Sequence, residues 1–120
     1  METSSPGPYG PERLRVYHLA LAFARELDAT LRRVRVDPSL ANHLVRAAES
    51  IILNVSEGSA HLSPGRKRYH YQVAYASAGE CIGALARLKD RYPRVETRSL
   101  VNTAKLISKM LHRLMANQRT

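Results

Sequence analysis

The stretch Pro38-Ser39-Leu40-Ala41-Asn42-His43-Leu44-Val45-Arg46-Ala47-Ala48-Glu49-Ser50-Ile51-Ile52-Leu53-Asn54-Val55-Ser56-Glu57-Gly58 decides the fold. Leu40, Leu44, Ala47, Ala48, Ile51 and Val55 recur at three-to-four spacing, the apolar stripe of a helix. Asp37 is a good N-cap for it. Pro38 suits the first helical position, where its missing N–H would be unpaired anyway. Gly58 reads as the C-cap, where a left-handed residue costs least. Val45, Ile52 and Leu53 widen the apolar surface well past one face. A helix apolar over most of its girth needs two burial partners. One is the core of its own bundle. A second subunit is the expected other, which makes Val45, Ile52 and Leu53 candidate oligomer-interface residues.

Three more helices flank this one. Val16, Leu19, Ala20, Phe23, Leu27, Leu31 and Val34 space a helix over residues 13–34. Ser63-Pro64 opens a third, running to about Tyr92 and stopped by Pro93, with Tyr71, Ala74, Tyr75, Ala78, Ile82, Leu85 and Leu88 as its core stripe. Gly79 and Gly83 each cost about 1 kcal/mol of helix propensity against Ala, and tight helix packing is the expected compensation. The fourth helix covers residues 96–117, with Leu100, Ala104, Ile107, Leu111 and Leu114 inward and Arg98, Asn102, Lys105, Lys109 and Arg113 outward. Short connections make successive helices antiparallel neighbours, so the pattern predicts an all-α, up-down-up-down four-helix bundle over residues 13–120. Residues 1–12, rich in Pro, Gly and Ser, read as a flexible tail without the basic start or apolar stretch of a secretory signal.

Charge is divided unevenly along the chain. Residues 1–60 carry 7 Lys+Arg and 7 Asp+Glu, whereas residues 61–120 carry 12 Lys+Arg against Glu80, Asp90 and Glu96. The whole excess of +9 therefore lies in the second half. Lys105, Lys109 and Arg113 fall at i, i+4 and i+8, and like charges at that spacing repel. Arg66, Lys67 and Arg68 open the third helix, at the unfavourable end of its dipole. Arg87, Lys89, Arg91 and Arg94 crowd its other end, near Arg98 across the turn. A one-sided excess carried against local penalties points to phosphate binding by these eleven residues. A plain solubilising surface is the competing reading. Tyr69, beside the basic cluster, is the exposed aromatic of that helix; Tyr71 belongs to the core.

Enzymatic chemistry finds little footing. Asn54, Glu57, Ser77 and Glu80 sit near the apolar stripes of the second and third helices and read as a structural polar network cross-linking them. A di-metal bundle would need Glu-x-x-His on two helices, and none occurs. His18, His43, His61, His70 and His112 show no metal-ligand spacing, so neither metal nor cofactor is expected. Cys81, the single cysteine, reads as a small buried thiol in a reducing, cytoplasmic protein. No apolar run approaches the roughly 18–20 residues that span a bilayer.

The run Arg46-Ala47-Ala48-Glu49-Ser50-Ile51-Ile52-Leu53-Asn54-Val55-Ser56-Glu57-Gly58 resembles the Arg-Ala-Ala-x-Ser-Ile-x-x-Asn-Ile-x-Glu-Gly signature of bacterial four-helix-bundle proteins encoded in intervening sequences of 23S ribosomal RNA genes. Ala74-Tyr75-Ala76-Ser77-Ala78-Gly79-Glu80 is similar to that family's Ala-x-Gly-Ser-x-x-Glu segment. Ile52 stands where the family commonly has proline. The resemblance implies a ring-like homo-oligomer, a pentamer. A related branch comprises basic accessory proteins of diversity-generating retroelements, which bind nucleic acid and assist a reverse transcriptase. The expectation is a non-catalytic nucleic-acid-binding protein, for RNA or DNA, with a reverse transcriptase or ribosomal RNA as its setting. The alternative is a scaffold whose basic face docks an acidic protein.

Overall fold

Four α-helices form, each bounded by the chemistry of its ends: α1 (Gly10–Arg33), α2 (Pro38–Ala60), α3 (Pro64–Arg91) and α4 (Arg98–Ala116). The computed structural model describes residues 10–60 and 63–118, and no strand occurs among them. Residues 10–12, expected in the tail, are helical; the rest of that tail and His61 lie outside the described residues. At the start of α2, the Asp37 carboxylate accepts from the Ser39 N–H at 3.4 Å, and the Asp37 carbonyl accepts from Ala41 at 3.0 Å. Ser63 caps α3, its hydroxyl accepting from the Arg66 N–H at 3.4 Å, with Pro64 in the first turn. The start of α4 falls two residues later than expected. There the Glu96 carboxylate accepts from the Arg98 N–H at 3.2 Å, and Thr97, the N-cap residue, gives no side-chain cap.

Gly58 does not end α2. The helix continues through it to Ala60, and the ring of Tyr71 lies directly on the glycine. A Cβ at position 58 would stand 2.7 Å from a Tyr71 ring carbon and 3.3 Å from the His70 Cβ. The glycine is there for close approach, not for a left-handed turn. Tyr71 is 1% exposed, and burial raises its hydroxyl's pKa, partly offset by a hydrogen bond with Ser59.

The apolar stripes converge on one core. Val16, Phe23 and Leu27 of α1 meet Leu44 and Ile51 of α2, Leu85 and Leu88 of α3, and Leu100, Ile107, Leu111 and Leu114 of α4. Each such side chain contributes about 1.5–3 kcal/mol on full burial. Successive helices pack on one another and α4 packs back on α1, while neither diagonal pair does. The bundle measures 45 × 28 × 19 Å, its long dimension set by α3, whose 28 residues span about 42 Å at 1.5 Å per residue. Among the described residues no helix is long and apolar enough to cross a membrane.

Two expectations for α3 need correction. Tyr75 leaves the core stripe and is 38% exposed, its ring near His112 of α4. Gly79 and Gly83 pack against nothing among the described residues: a Cβ at either position meets no atom within 4 Å.

Replacing Gly58 with Ala should destabilise the protein by about 1–3 kcal/mol through overpacking. The sign opposes the roughly 1 kcal/mol that Ala gains in helix propensity. Chemical denaturation checks it; an unchanged or raised midpoint would show that Tyr71 yields freely.

Candidate nucleic-acid interface

Helix α4 contains no acidic residue. Its apolar residues go inward at helical spacing, so Arg98, Asn102, Lys105, Lys109 and Arg113 are left exposed on the opposite side. The row spans 16 residues, about 22 Å of helix at 1.5 Å per residue. Arg66 and Arg94 are also exposed, each beside a helix end.

Other cations of the expected site hold the fold together. The Lys67 ammonium donates to the Gly58 carbonyl at 3.2 Å and the Ser59 carbonyl at 3.4 Å. It thereby satisfies carbonyls that α2 leaves open at its C-terminal end. Burial, and then the charge of Arg13, lowers the Lys67 pKa from its ordinary value. Arg68 donates from Nε and Nη2 to the Gln118 carbonyl, at 3.2 and 2.6 Å, just past α4. The cations at the start of α3 thus offset their own dipole penalty by serving the C-terminal ends of its neighbours. Lys89 donates to the carbonyls of Pro93 (2.7 Å) and Val95 (3.1 Å), stapling the α3–α4 turn. Arg91 pairs with Asp37 at 3.1 Å. Arg87 pairs with Asp90 at 3.4 Å; both are well exposed, so that pair contributes little.

The structure also gathers cations that the division of charge concealed. The Tyr92 hydroxyl accepts from the Asp37 N–H at 2.9 Å, and Arg91 reaches the same aspartate. These bonds bring the α1–α2 link to the α3–α4 turn, and Arg32, Arg33 and Arg35, all exposed, come to the same end of the bundle as Arg94 and Arg98. Residues 32–37 and 89–98 together carry seven cations against Asp37, Asp90 and Glu96.

Polar side chains join α2 to α3. The Ser50 and Ser77 hydroxyls share a hydrogen bond at 2.7 Å. The Asn54 amide donates to the Ser50 carbonyl (2.9 Å) and hydroxyl (3.3 Å), and its oxygen accepts from His70 Nδ1 at 3.1 Å. Asn54 and Ser77 take part in these bonds, and so do Ser50 and His70. Glu57 and Glu80 are exposed. Glu80 lines a polar groove of about 620 Å³ with Asn42, His43, Arg46 and Ser50. Of the expected interface residues, Val45 and Ile52 are half-buried, with Ile52 packed on the core, and Leu53 is 63% exposed. Cys81 is buried; burial first, then the Glu80 charge, pushes its pKa up to about 12, which leaves it a thiol at neutral pH. Among the described residues no group of three His, Cys, Asp or Glu is arranged to hold a metal ion.

The profile of the 23S rRNA-intervening sequence protein family matches residues 12–113. A crystal structure of a protein of unknown function from the S23 ribosomal protein family of Bacteroides thetaiotaomicron superimposes with a TM-score of 0.80 at 20% identity, covering 88% of this chain and 99% of that one. At that identity the likeness speaks for the fold. No curated protein matches.

The two kinds of cation should separate in thermal melts. Lys67→Ala and Arg68→Ala each remove charged hydrogen bonds to helix-end carbonyls and should cost about 1 kcal/mol. Lys105→Ala and Lys109→Ala relieve repulsion and should leave the midpoint unchanged or slightly raised. Equal losses from all four would erase the distinction.

Proposed function

This chain belongs to the 23S rRNA-intervening sequence protein family, and from that premise we propose that it is a non-catalytic, basic, self-associating nucleic-acid-binding protein of the cytoplasm. The observation that carries the reading is the row of Arg98, Lys105, Lys109 and Arg113 on α4, exposed with no acid on the helix to neutralise it. Phosphates are the matching partner: each neutralised phosphate releases condensed counterions, and little sequence readout is required. The setting follows from the family resemblance, namely assistance to a reverse transcriptase or association with ribosomal RNA.

The helices alternate up and down as antiparallel neighbours in this reading. The packing order supports it, as do two bonds. Arg68 at the start of α3 reaches the end of α4, and Ser99 at the start of α4 donates to Glu26 late in α1 at 3.1 Å.

Self-association rests on a second observation. Ala76, Gly79, Gly83 and Ala86 form an exposed ridge of small residues on α3, beside Tyr75, and nothing among the described residues packs on the two glycines. A helix of another copy seated there would supply the contacts. Leu53, exposed on α2, would go the same way. The pentameric ring is the form that the family resemblance favours. It would repeat the cationic row on every copy and turn weak single contacts into avidity.

Replacing Lys105, Lys109 and Arg113 with Glu should abolish binding to a long RNA in anisotropy titrations while circular dichroism stays unchanged. The parent protein, using about four phosphates per copy, should lose about a hundredfold in affinity between 50 and 200 mM salt. Salt-independent binding would sink the phosphate mechanism. A protein that copurifies with no nuclease-sensitive 260 nm absorbance and binds an acidic protein instead would favour the scaffold. For the ridge, Gly79→Leu with Gly83→Leu should reduce the mass seen in light scattering and keep helicity; an unchanged mass puts the subunit contact elsewhere.

A further inference from the structure

The cationic end of the bundle contains an apolar hollow. Its volume is about 410 Å³, and Val34, Arg91, Tyr92, Pro93, Arg94 and Val95 line it. The hollow is built rather than incidental. Tyr92 is anchored through its hydroxyl on the Asp37 N–H, and the Arg91 guanidinium lies 5.4 Å from its ring centre. Lys89 holds the Pro93 and Val95 carbonyls, which fixes the wall that carries their side chains. Val95 is 3% exposed and ties that wall to the core. Arg94 stands on the rim, exposed, and its side chain makes no hydrogen bond or ion pair among the described residues. Arg35 and Arg98, on the segments either side, are exposed as well.

We infer that this hollow takes an unpaired nucleobase of a single-stranded nucleic acid, with Arg94 stacking on or beside the base and the surrounding arginines holding the flanking phosphates. The inference rests on the polyanion-binding reading above and narrows it to a strand with accessible bases. An apolar, rigid concavity bordered by guanidinium groups matches a flat ring carrying anionic groups on both sides. A duplex keeps its bases stacked inside and offers this surface phosphates alone. The net cation excess at this end argues against a neutral apolar occupant, which would gain nothing from it. Arg91 is committed to Asp37 and Tyr92, so Arg94 is the planar cation left to meet the base.

An abasic strand isolates the base from the charge. The full-length protein is titrated with a labelled 12-nucleotide adenylate RNA and with an abasic strand of the same phosphate count. The adenylate should bind about tenfold tighter, the size of one base–side-chain stack. Arg94→Lys keeps the charge and loses the plane, and should shrink that ratio toward one with little change for the abasic strand. Val34→Trp, which fills the hollow, should do the same, its folding verified by circular dichroism; Arg94→Lys, at an exposed site, carries the test if that variant does not fold. Equal, salt-dependent binding of both strands by the parent would overturn the base pocket and leave the phosphate reading standing. Binding of neither would overturn both. A preference for adenylate that survives Arg94→Lys would put the base elsewhere and overturn the inference.

Discussion

The contact of Tyr71 with Gly58 sets how closely α3 lies on α2, and the rest of the bundle follows from that seam. A ring resting on bare backbone permits an approach that any Cβ would prevent. It also lets the two helices exchange hydrogen bonds through short side chains, Ser50 with Ser77 and Asn54 with His70. Such bonds in a half-buried seam tolerate one register, since a shift of one residue would strand every partner. With α2 and α3 fixed, α1 and α4 each pack against one member of the pair and against each other. The signature residues Ser50, Asn54 and Gly58 therefore have a common task in the α2–α3 seam.

Helix ends explain where the cations divide. The bundle leaves open carbonyls at the C-terminal end of each helix, and a long basic side chain from a neighbouring helix is the simplest group to reach them. Lys67 and Arg68 do so from the first turn of α3, and Lys89 serves the α3–α4 turn. Arg98, Lys105 and Lys109 lie along the flank of α4 or at its beginning, and none of the three bonds such a carbonyl among the described residues. The surplus charge that distinguishes this chain is accordingly a subset of its cations, concentrated on α4 and on one end of the bundle.

Apolar spacing made the helices legible in the sequence, and every inward residue assigned to α4 is buried. Caps were legible where they depend on a residue and its neighbours, as at Asp37-Pro38 and Ser63-Pro64. Gly58 was not. A glycine at the end of an apolar stripe satisfies a C-cap and a close helix contact equally well, and the distinguishing partner, Tyr71, is 13 residues away. Nor was the division of the cations, since hydrogen bonds from Arg68 to Gln118 or from Arg91 to Asp37 span 50 and 54 residues. The gathering of Arg32, Arg33 and Arg35 with Arg94 and Arg98 had a signal that counting charge by halves of the chain concealed. In a bundle whose helices alternate direction, the first and third links share one end.

Four cations along one helix are a weak grip on a polyanion at physiological salt, where charges further apart than about 8 Å are largely screened. Useful affinity then needs either many copies of the row or one contact that salt does not weaken. The two features of α3 and its turn divide along that line. The exposed ridge at Gly79 and Gly83 has a propensity deficit that a second copy would offset, multiplying the row. The hollow between Val34 and Val95 is apolar, so an occupant there gains from dehydration, which salt leaves intact. A protein combining the two would hold a strand through electrostatics repeated around an assembly and register it through bases. The residual affinity at high salt then measures the hollow, and the slope below it measures the row.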